Sequence, residues 1–166
     1  MTGHRIRKFD SEEEVHERLV RFMKREHPGV LFRTDFAAGI LLPPWLAARQ
    51  KRVQSCRGFP DIFVYEPSKA GGYFSDFEFN GLALELKAKH VKLKLNDGRW
   101  ASDHIKEQFN VLSRLHNKGY ACSFARGYDE ACAVINWYLK GSEDIEFSDF
   151  IPKLTLGEVT DIEEAF

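Results

Sequence analysis

The chain contains few of the residues and segments that mark secreted, membrane-spanning or zinc-binding proteins. Its 166 residues include three cysteines, Cys56, Cys122 and Cys132, with no C-x-x-C pair. That odd number argues against both a disulfide framework and a zinc site. No apolar run approaches the length needed to cross a bilayer, and the first ten residues hold no apolar segment of the secretory type. We therefore expect a cytoplasmic protein with no membrane partner.

The sequence also lacks two motifs that identify common enzyme classes. It has neither a glycine-rich phosphate loop nor a nucleophile-elbow pattern, so a small α/β protein with an unrelated ligand has no motif in its favour. What is present is an ordinary globular composition, 43% hydrophobic and 30% charged. A chain of this length most simply forms one domain with a sizeable core.

The net charge of −1 conceals an uneven distribution along the chain. Residues 141–166 hold eight acidic residues and one base, which leaves residues 1–140 at about +6. We predict a globular domain over 1–140 and an acidic C-terminal extension over 141–166. A basic body suits a protein that binds a polyanion. The extension is either a solubilising terminus or a segment that masks the basic surface.

Hydrophobic periodicity and turn residues predict a mixed α/β fold. Helices are expected at 11–26, 103–118 and 128–140, and strands at 30–36, 61–66, 81–89 and 120–127. The stretches 37–59 and 67–80 are expected to be long connections, and 90–102 a basic loop or small ribbon. The order α-β-β-β-α-β-α predicts a mixed central sheet flanked by helices. Within it, 61–66 and 81–89 form an antiparallel hairpin, and 120–127 lies parallel to 81–89.

Two short strings within predicted strands carry the chemistry. Asp61 follows Pro60 in RGFPDIFVYE, and Glu85 and Lys87 flank Leu86 in GLALELKAK. Side chains two apart in a strand point to the same face, so Glu85 and Lys87 lie together. If Asp61 is on the neighbouring strand, two carboxylates and one ammonium converge. The alternative is a surface ion pair on an edge strand.

The predicted cluster suits a hard divalent cation beside a phosphodiester. Asp61 and Glu85 are oxygen donors of the kind preferred by Mg²⁺ or Mn²⁺, and the carbonyl of Leu86 can add a neutral oxygen ligand. Lys87 would lie beside the attacking water or the scissile phosphate. We favour positioning and charge stabilisation by Lys87 over a role as general base.

Two helical residues are further candidates for this site. Glu12 stands three residues before Val15 and so shares the inward stripe of the first helix, although acids at a helix start often only complement the helix dipole. Glu14 is expected to complete a capping box with Ser11. Gln108 precedes the apolar Phe109, and from the residues alone we expect it at the surface.

Basic residues cluster in the two segments that flank the motif strands. Such residues contact phosphates and provide affinity that does not depend on base sequence. For any single one a solvated surface position is the better interpretation. As a set, they favour binding, because the acidic pocket would otherwise repel a polyanion. The predicted DNA-binding set is Arg49, Lys51, Arg52, Arg57, Lys89, Lys92, Lys94 and Arg99.

The sequence resembles the PD-(D/E)XK nuclease superfamily, and within it a stand-alone VRR-NUC domain of the kind found in phages and bacteria. The resemblance covers about residues 11–140. It rests on SEEEVHERLV, RGFPDIFVYE, GLALELKAK, IKEQFNVLSRLHNKGYAC and RGYDEACAVINWYL. The glutamate-glutamine pair before an apolar helix, followed by Gly-Tyr and a strand, is the most discriminating part. The chain departs from the family in its long 37–57 and 67–80 connections and its acidic extension.

The resemblance implies a restriction-endonuclease-like fold and phosphodiester hydrolysis dependent on Mg²⁺ or Mn²⁺. By matched position it assigns Asp61, Glu85 and Lys87 to the catalytic core and Gln108 to the helix glutamine, with Glu12 the best-fitting helix carboxylate. It also implies a homodimer that cleaves branched DNA such as four-way junctions. Two alternatives remain open: a sequence-specific restriction-type endonuclease, and a non-cleaving nucleic-acid-binding module of the same fold.

Overall fold

The computed structural model of the protein describes residues 10–35, 42–68 and 79–140. The predicted acidic extension therefore lies outside the described residues. The elements in chain order are α1 (Glu12–Glu26), β1 (Phe32–Thr34), α2 (Pro44–Val53), β2 (Ile62–Val64), β3 (Leu82–Lys87), α3 (Asp103–His116), β4 (Ala121–Arg126) and α4 (Tyr128–Lys140). Among the described helices, none is both long and apolar enough to cross a membrane.

The four strands form one mixed sheet in the order β1-β2-β3-β4. β2 pairs antiparallel with both β1 and β3, whereas β3 and β4 are parallel. The predicted hairpin and the predicted parallel pair are both confirmed. The fold class predicted from the sequence, a mixed α/β sheet flanked by helices, is therefore correct.

The first helix begins where the sequence indicates. Ser11 accepts a hydrogen bond from the Glu14 backbone, and the Glu14 side chain accepts one from the Ser11 backbone N–H, which completes the predicted capping box. Such a cap satisfies amide groups that the helix itself leaves without partners. The apolar stripe of α1 is buried, with Leu19 and Met23 fully enclosed. The cap thus fixes where in the chain the acidic first turn begins.

The sheet has an apolar layer on each face because its side chains alternate. Ile62 and Leu84 belong to the larger core, which also contains buried residues of α1 and α4. Ala83 and Phe124 belong to a second cluster with α3. Odd-numbered positions of β3 therefore face α3. This alternation places Glu85 on the α3 side of the sheet.

The prediction for residues 37–59 was wrong in one respect, because Pro44–Val53 forms the helix α2. Pro44 occupies a position near the helix start, where proline is tolerated. None of the residues of α2 is buried, so the segment has no apolar periodicity from which a helix could be predicted. The predicted strands are also longer than the observed ones; residues 30–36, for example, contain only Phe32–Thr34. In the basic segment, a bridge between Lys94 and Trp100 gives a small ribbon.

Candidate active site

The pairing register brings Asp61 and Glu85 together. Ile62 lies opposite Leu84 in the antiparallel β2–β3 pair, and one further step of this register places Asp61 opposite Glu85. Directly opposed residues have Cβ atoms about 5 Å apart. Asp61 Oδ2 also accepts a hydrogen bond of 2.7 Å from the Leu86 backbone N–H. The structure thus brings together the two motif carboxylates, as the sequence predicts.

Lys87 lies within the same cluster and is almost completely buried. Its Nζ donates to Glu85 Oε1 at 2.8 Å and to the Leu86 carbonyl at 2.9 Å. Only 2% of Glu85 and 6% of Lys87 are exposed. A buried charge is tolerated when it is paired and hydrogen-bonded. The ammonium therefore contacts two of the oxygen atoms that the sequence analysis assigned to a metal.

Gln108 projects from α3 into this cluster, where its Nε2 donates to Glu85 Oε1. The side chain is buried, so the surface position expected from the residues alone was wrong. It belongs to the inward side of α3, whose apolar stripe includes Ile105 and Phe109. The position expected from the family resemblance agrees with this placement.

The first helix supplies a third carboxylate at the rim of the cluster. Glu12 Oε1 accepts a hydrogen bond from the Ala88 backbone N–H at 3.4 Å and lies 3.9 Å from Lys87 Nζ. Its side chain remains 42% exposed. The neighbouring Glu13 and Glu17 are exposed. Glu12 is thus the only one of these three glutamates placed against β3 by a described contact.

Burial and mutual repulsion disfavour the ionised forms of the two carboxyl groups at the site. Burial raises the pKa of Asp61 above its ordinary value, although the Leu86 N–H and Lys87 act in the opposite direction. Burial, followed by the charge of Asp61, raises the pKa of Glu85 to about 8 despite the nearby ammonium. Desolvation and a neighbouring like charge both disfavour the ionised carboxylate. A bound cation would relieve this repulsion.

The donor atoms at the site fit a hard cation. Glu85 Oε2 and Gln108 Oε1 are buried, and neither has a hydrogen-bond partner among the described residues. Such atoms are rare unless they serve a ligand or a water. No group of three or more carboxylate, histidine or cysteine side chains in the described ranges is arranged to hold a metal. The residues that fit are therefore the opposed pair Asp61 and Glu85 with the Leu86 carbonyl, while Glu12 stands at the rim.

Comparisons with known proteins bear on the fold. The sequence matches no family model and no curated protein. The structure is similar to a solved structure described as a VRR_NUC domain protein, with a TM-score of 0.53 and 22% sequence identity. The similarity covers 81% of this chain and 92% of that chain. The fold is VRR-NUC-like. Assignment to the wider PD-(D/E)XK superfamily stays a prediction.

Within the VRR-NUC-like fold, the predicted DNA-binding residues are all exposed. Three of them, Arg49, Lys51 and Arg52, lie on α2 rather than in a loop. In the ribbon, Arg99 pairs with Asp97 at 2.7 Å, and Lys94 Nζ lies 4.7 Å from the centre of the Trp100 ring. Arg57 lies between α2 and β2, and Lys89 and Lys92 follow β3. The two basic segments thus remain accessible to a polyanion.

The VRR-NUC-like fold also places one residue at the site that sequence reasoning missed. His16 lies one turn after Glu12 on α1, and its Nε2 is buried without a hydrogen-bond partner among the described residues. Burial raises the pKa of Asp61, and His16 is among the neighbours that act against this rise. The signal in the sequence was the i, i+4 spacing from Glu12, which puts two side chains on the same helical face.

Proposed function

We propose that this protein is a metal-dependent nuclease that hydrolyses DNA phosphodiester bonds at the cluster of Asp61, Glu85 and Lys87. The observation that carries the proposal is the hydrogen bond from the Leu86 N–H to Asp61 Oδ2, which holds Asp61 against β3, with Lys87 hydrogen-bonded to both Glu85 and Leu86. A like-charged carboxylate pair in a buried site serves cation binding better than it serves stability. The VRR-NUC-like fold supports this reading.

Each residue has a role that follows from its position. Asp61, Glu85 and the Leu86 carbonyl would hold Mg²⁺ or Mn²⁺, which when bound supplies Lewis-acid stabilisation and lowers the pKa of a coordinated water. Lys87 places a positive charge where negative charge builds on phosphorus. Gln108 fixes the orientation of the Glu85 carboxylate through its hydrogen bond. Glu12, at the exposed rim, is placed to orient a water molecule.

The substrate we propose is branched DNA, such as a four-way junction, cleaved by a homodimer. The basic residues on α2 and in the ribbon would contact the backbone, and the geometry or flexibility of the branch would select the site. Paired cuts in two strands require two active sites, which a two-fold dimer provides.

The experiment that tests the proposal compares labelled junction, flap and linear duplex DNA, each incubated with the purified protein and Mg²⁺ or Mn²⁺ at low salt. We expect strand cleavage of the junction or flap in preference to the duplex. Discrete products from plain duplex would instead indicate a sequence-specific restriction-type enzyme. A gel shift without cleavage in the presence of either metal would indicate that the protein is a non-cleaving DNA-binding module.

A further inference from the structure

A cavity of about 690 Å³ opens beside the candidate active site, between the β1–β2 edge of the sheet and α2. We call it the β1–β2 groove. Pro60, which directly precedes Asp61, is among the residues that line it, and Phe63 and Tyr65 line it further along β2. Cavities of this size accommodate ligands as large as a nucleotide. Asp61 and Phe63 are two residues apart, so the groove lies on the same side of the sheet as Asp61.

Two aromatic side chains form the floor of the groove. Phe63 and Tyr65 are two residues apart on an extended segment and so face the same side of the sheet. Their rings are nearly parallel, with an interplanar angle of 16° and centroids 6.3 Å apart. Tyr65 is 48% exposed, so part of its ring is open to solvent. Exposed aromatic faces of this kind are the surfaces on which unpaired bases stack.

The polar lining of the groove favours an anionic occupant. Arg33 lies directly opposite Phe63 in the β1–β2 pair, and Arg49 enters from α2. Among the described lining residues, Asp35 is the one acid against two arginines, so their charges sum to a positive value. Both arginines are exposed. Guanidinium groups bind phosphate oxygens through paired hydrogen bonds.

We propose that the β1–β2 groove binds an unpaired nucleotide of the DNA strand that passes through the active site. The base stacks on Phe63 and Tyr65, and the backbone phosphate is held by Arg33 and Arg49. Any of the four bases can stack on an aromatic ring, so the groove would distinguish single-stranded from double-stranded DNA and would not distinguish one base sequence from another. A fully paired duplex presents no free base face. This inference rests on the proposed function, and it gives a physical origin for selecting DNA that carries unpaired nucleotides, such as a flap.

The test measures DNA binding without cleavage. An Asp61→Asn protein in EDTA is titrated into a fluorescein-labelled oligothymidylate and, separately, into a blunt duplex, and anisotropy is recorded. Adding Tyr65→Ala is expected to weaken binding of the oligothymidylate about tenfold or more and to leave duplex binding unchanged. Tyr65→Trp keeps a stacking face and should retain the affinity. Trp45→Ala is the matched control, since Trp45 is 67% exposed but does not line the groove.

A second readout locates the base directly. An oligonucleotide that contains 5-iodouracil, irradiated in complex with the same protein, should crosslink to the peptide that contains Phe63 and Tyr65, as mapped by mass spectrometry. Equal loss of affinity in Tyr65→Ala and Trp45→Ala, or a crosslink elsewhere only, would overturn the inference. So would failure of the parent protein to bind the oligothymidylate. Cleavage by the wild-type protein is assayed separately. If the wild-type protein cleaves DNA and Tyr65→Ala binds the oligothymidylate with unchanged affinity, the inference about the groove is refuted and the proposed nuclease function is not.

Discussion

Lys87 Nζ lies 2.8 Å from Glu85 Oε1, and both side chains are almost fully buried. They are two residues apart on one strand, so no loop or helix movement is needed to bring them together. A buried ion pair of this kind contributes little net stability, because desolvation of both charges offsets their attraction. The pair is thus better explained by the chemistry of the site than by the stability of the fold.

Replacing Asp61 with asparagine should abolish cleavage and preserve the fold. The amide oxygen can still accept the Leu86 N–H that Asp61 Oδ2 accepts at 2.7 Å, but the variant loses the charge opposite Glu85. We expect the cleavage rate to fall about a thousandfold or more, a loss typical of removing a charged group at a reacting centre. Asp129→Asn, on the exposed side of α4, is the control. Cleavage by Asp61→Asn at the wild-type rate would show that the site is elsewhere.

The role of Glu12 is tested by comparing it with its neighbour. Glu12→Gln removes the charge that lies 3.9 Å from Lys87 Nζ, whereas Glu13→Gln changes an exposed residue beside it. We expect Glu12→Gln to lower kcat about tenfold to a hundredfold, with little change in KM, and Glu13→Gln to behave as wild type. Steady-state cleavage kinetics separate the two effects. Equal rates for both variants would remove Glu12 from the site.

Gly58 holds α3 close to the segment that precedes β2. Its φ is +75°, and a Cβ there would lie 3.2 Å from the Gln108 backbone N and Cα. Gly98 has φ +84°, but no atom of the described ranges lies within 4 Å of such a Cβ. Gly58→Ala and Gly98→Ala therefore share a cost of about 1 kcal/mol for the left-handed backbone, and Gly58→Ala should cost about 1–3 kcal/mol more through the contact.

Urea unfolding of these two glycine variants gives the stability comparison, and cleavage assays give the functional one. A displaced α3 would move Gln108 and disturb the hydrogen bond that it donates to Glu85. Gly58→Ala should therefore also lose activity, while Gly98→Ala keeps it. Identical stability losses in the two variants would contradict the predicted close contact.

The raised pKa values of Asp61 and Glu85 predict how stability varies with pH. A carboxyl whose folded pKa is raised contributes stability that is complete below its unfolded pKa and is lost as pH rises through the folded value. For Glu85 that window runs from about 4.5 to about 8. In EDTA, the free energy of unfolding should therefore fall across this range. Mn²⁺ should restore it most strongly at the upper end, because metal binding requires the ionised carboxylates.

Thermal unfolding with and without Mn²⁺ at several pH values checks this expectation. The increase in Tm on adding Mn²⁺ should grow with pH in the wild-type protein and disappear in an Asp61→Asn/Glu85→Gln double variant. An equal increase in both proteins would place the bound ion at another position.

The sequence was informative where local patterns set the structure. Strand alternation and hairpin register brought Asp61 opposite Glu85, and Ser11 with Glu14 predicted the start of α1. The sequence was uninformative where the burial of a residue depends on packing between elements that are distant in the chain. Burial of Gln108 depends on how α3 seats on β3, and α2 carries no buried residue from which its periodicity could be read. His16 was overlooked because its spacing from Glu12 does not by itself show that this face of α1 lies near Asp61.

The contact between Glu12 and the end of β3 joins residues that are 76 positions apart in the chain, and Gln108 adds a contact from a later helix. Contacts between residues that are distant in the chain form slowly during folding, because the intervening chain must first lose conformational entropy when its ends are brought together. During synthesis, the chain emerges with its acidic first helix long before β3 and α3 exist. The site we propose would therefore be complete only once α3 has been synthesised, and a product truncated before α3 would carry Asp61, Glu85 and Lys87 without Gln108.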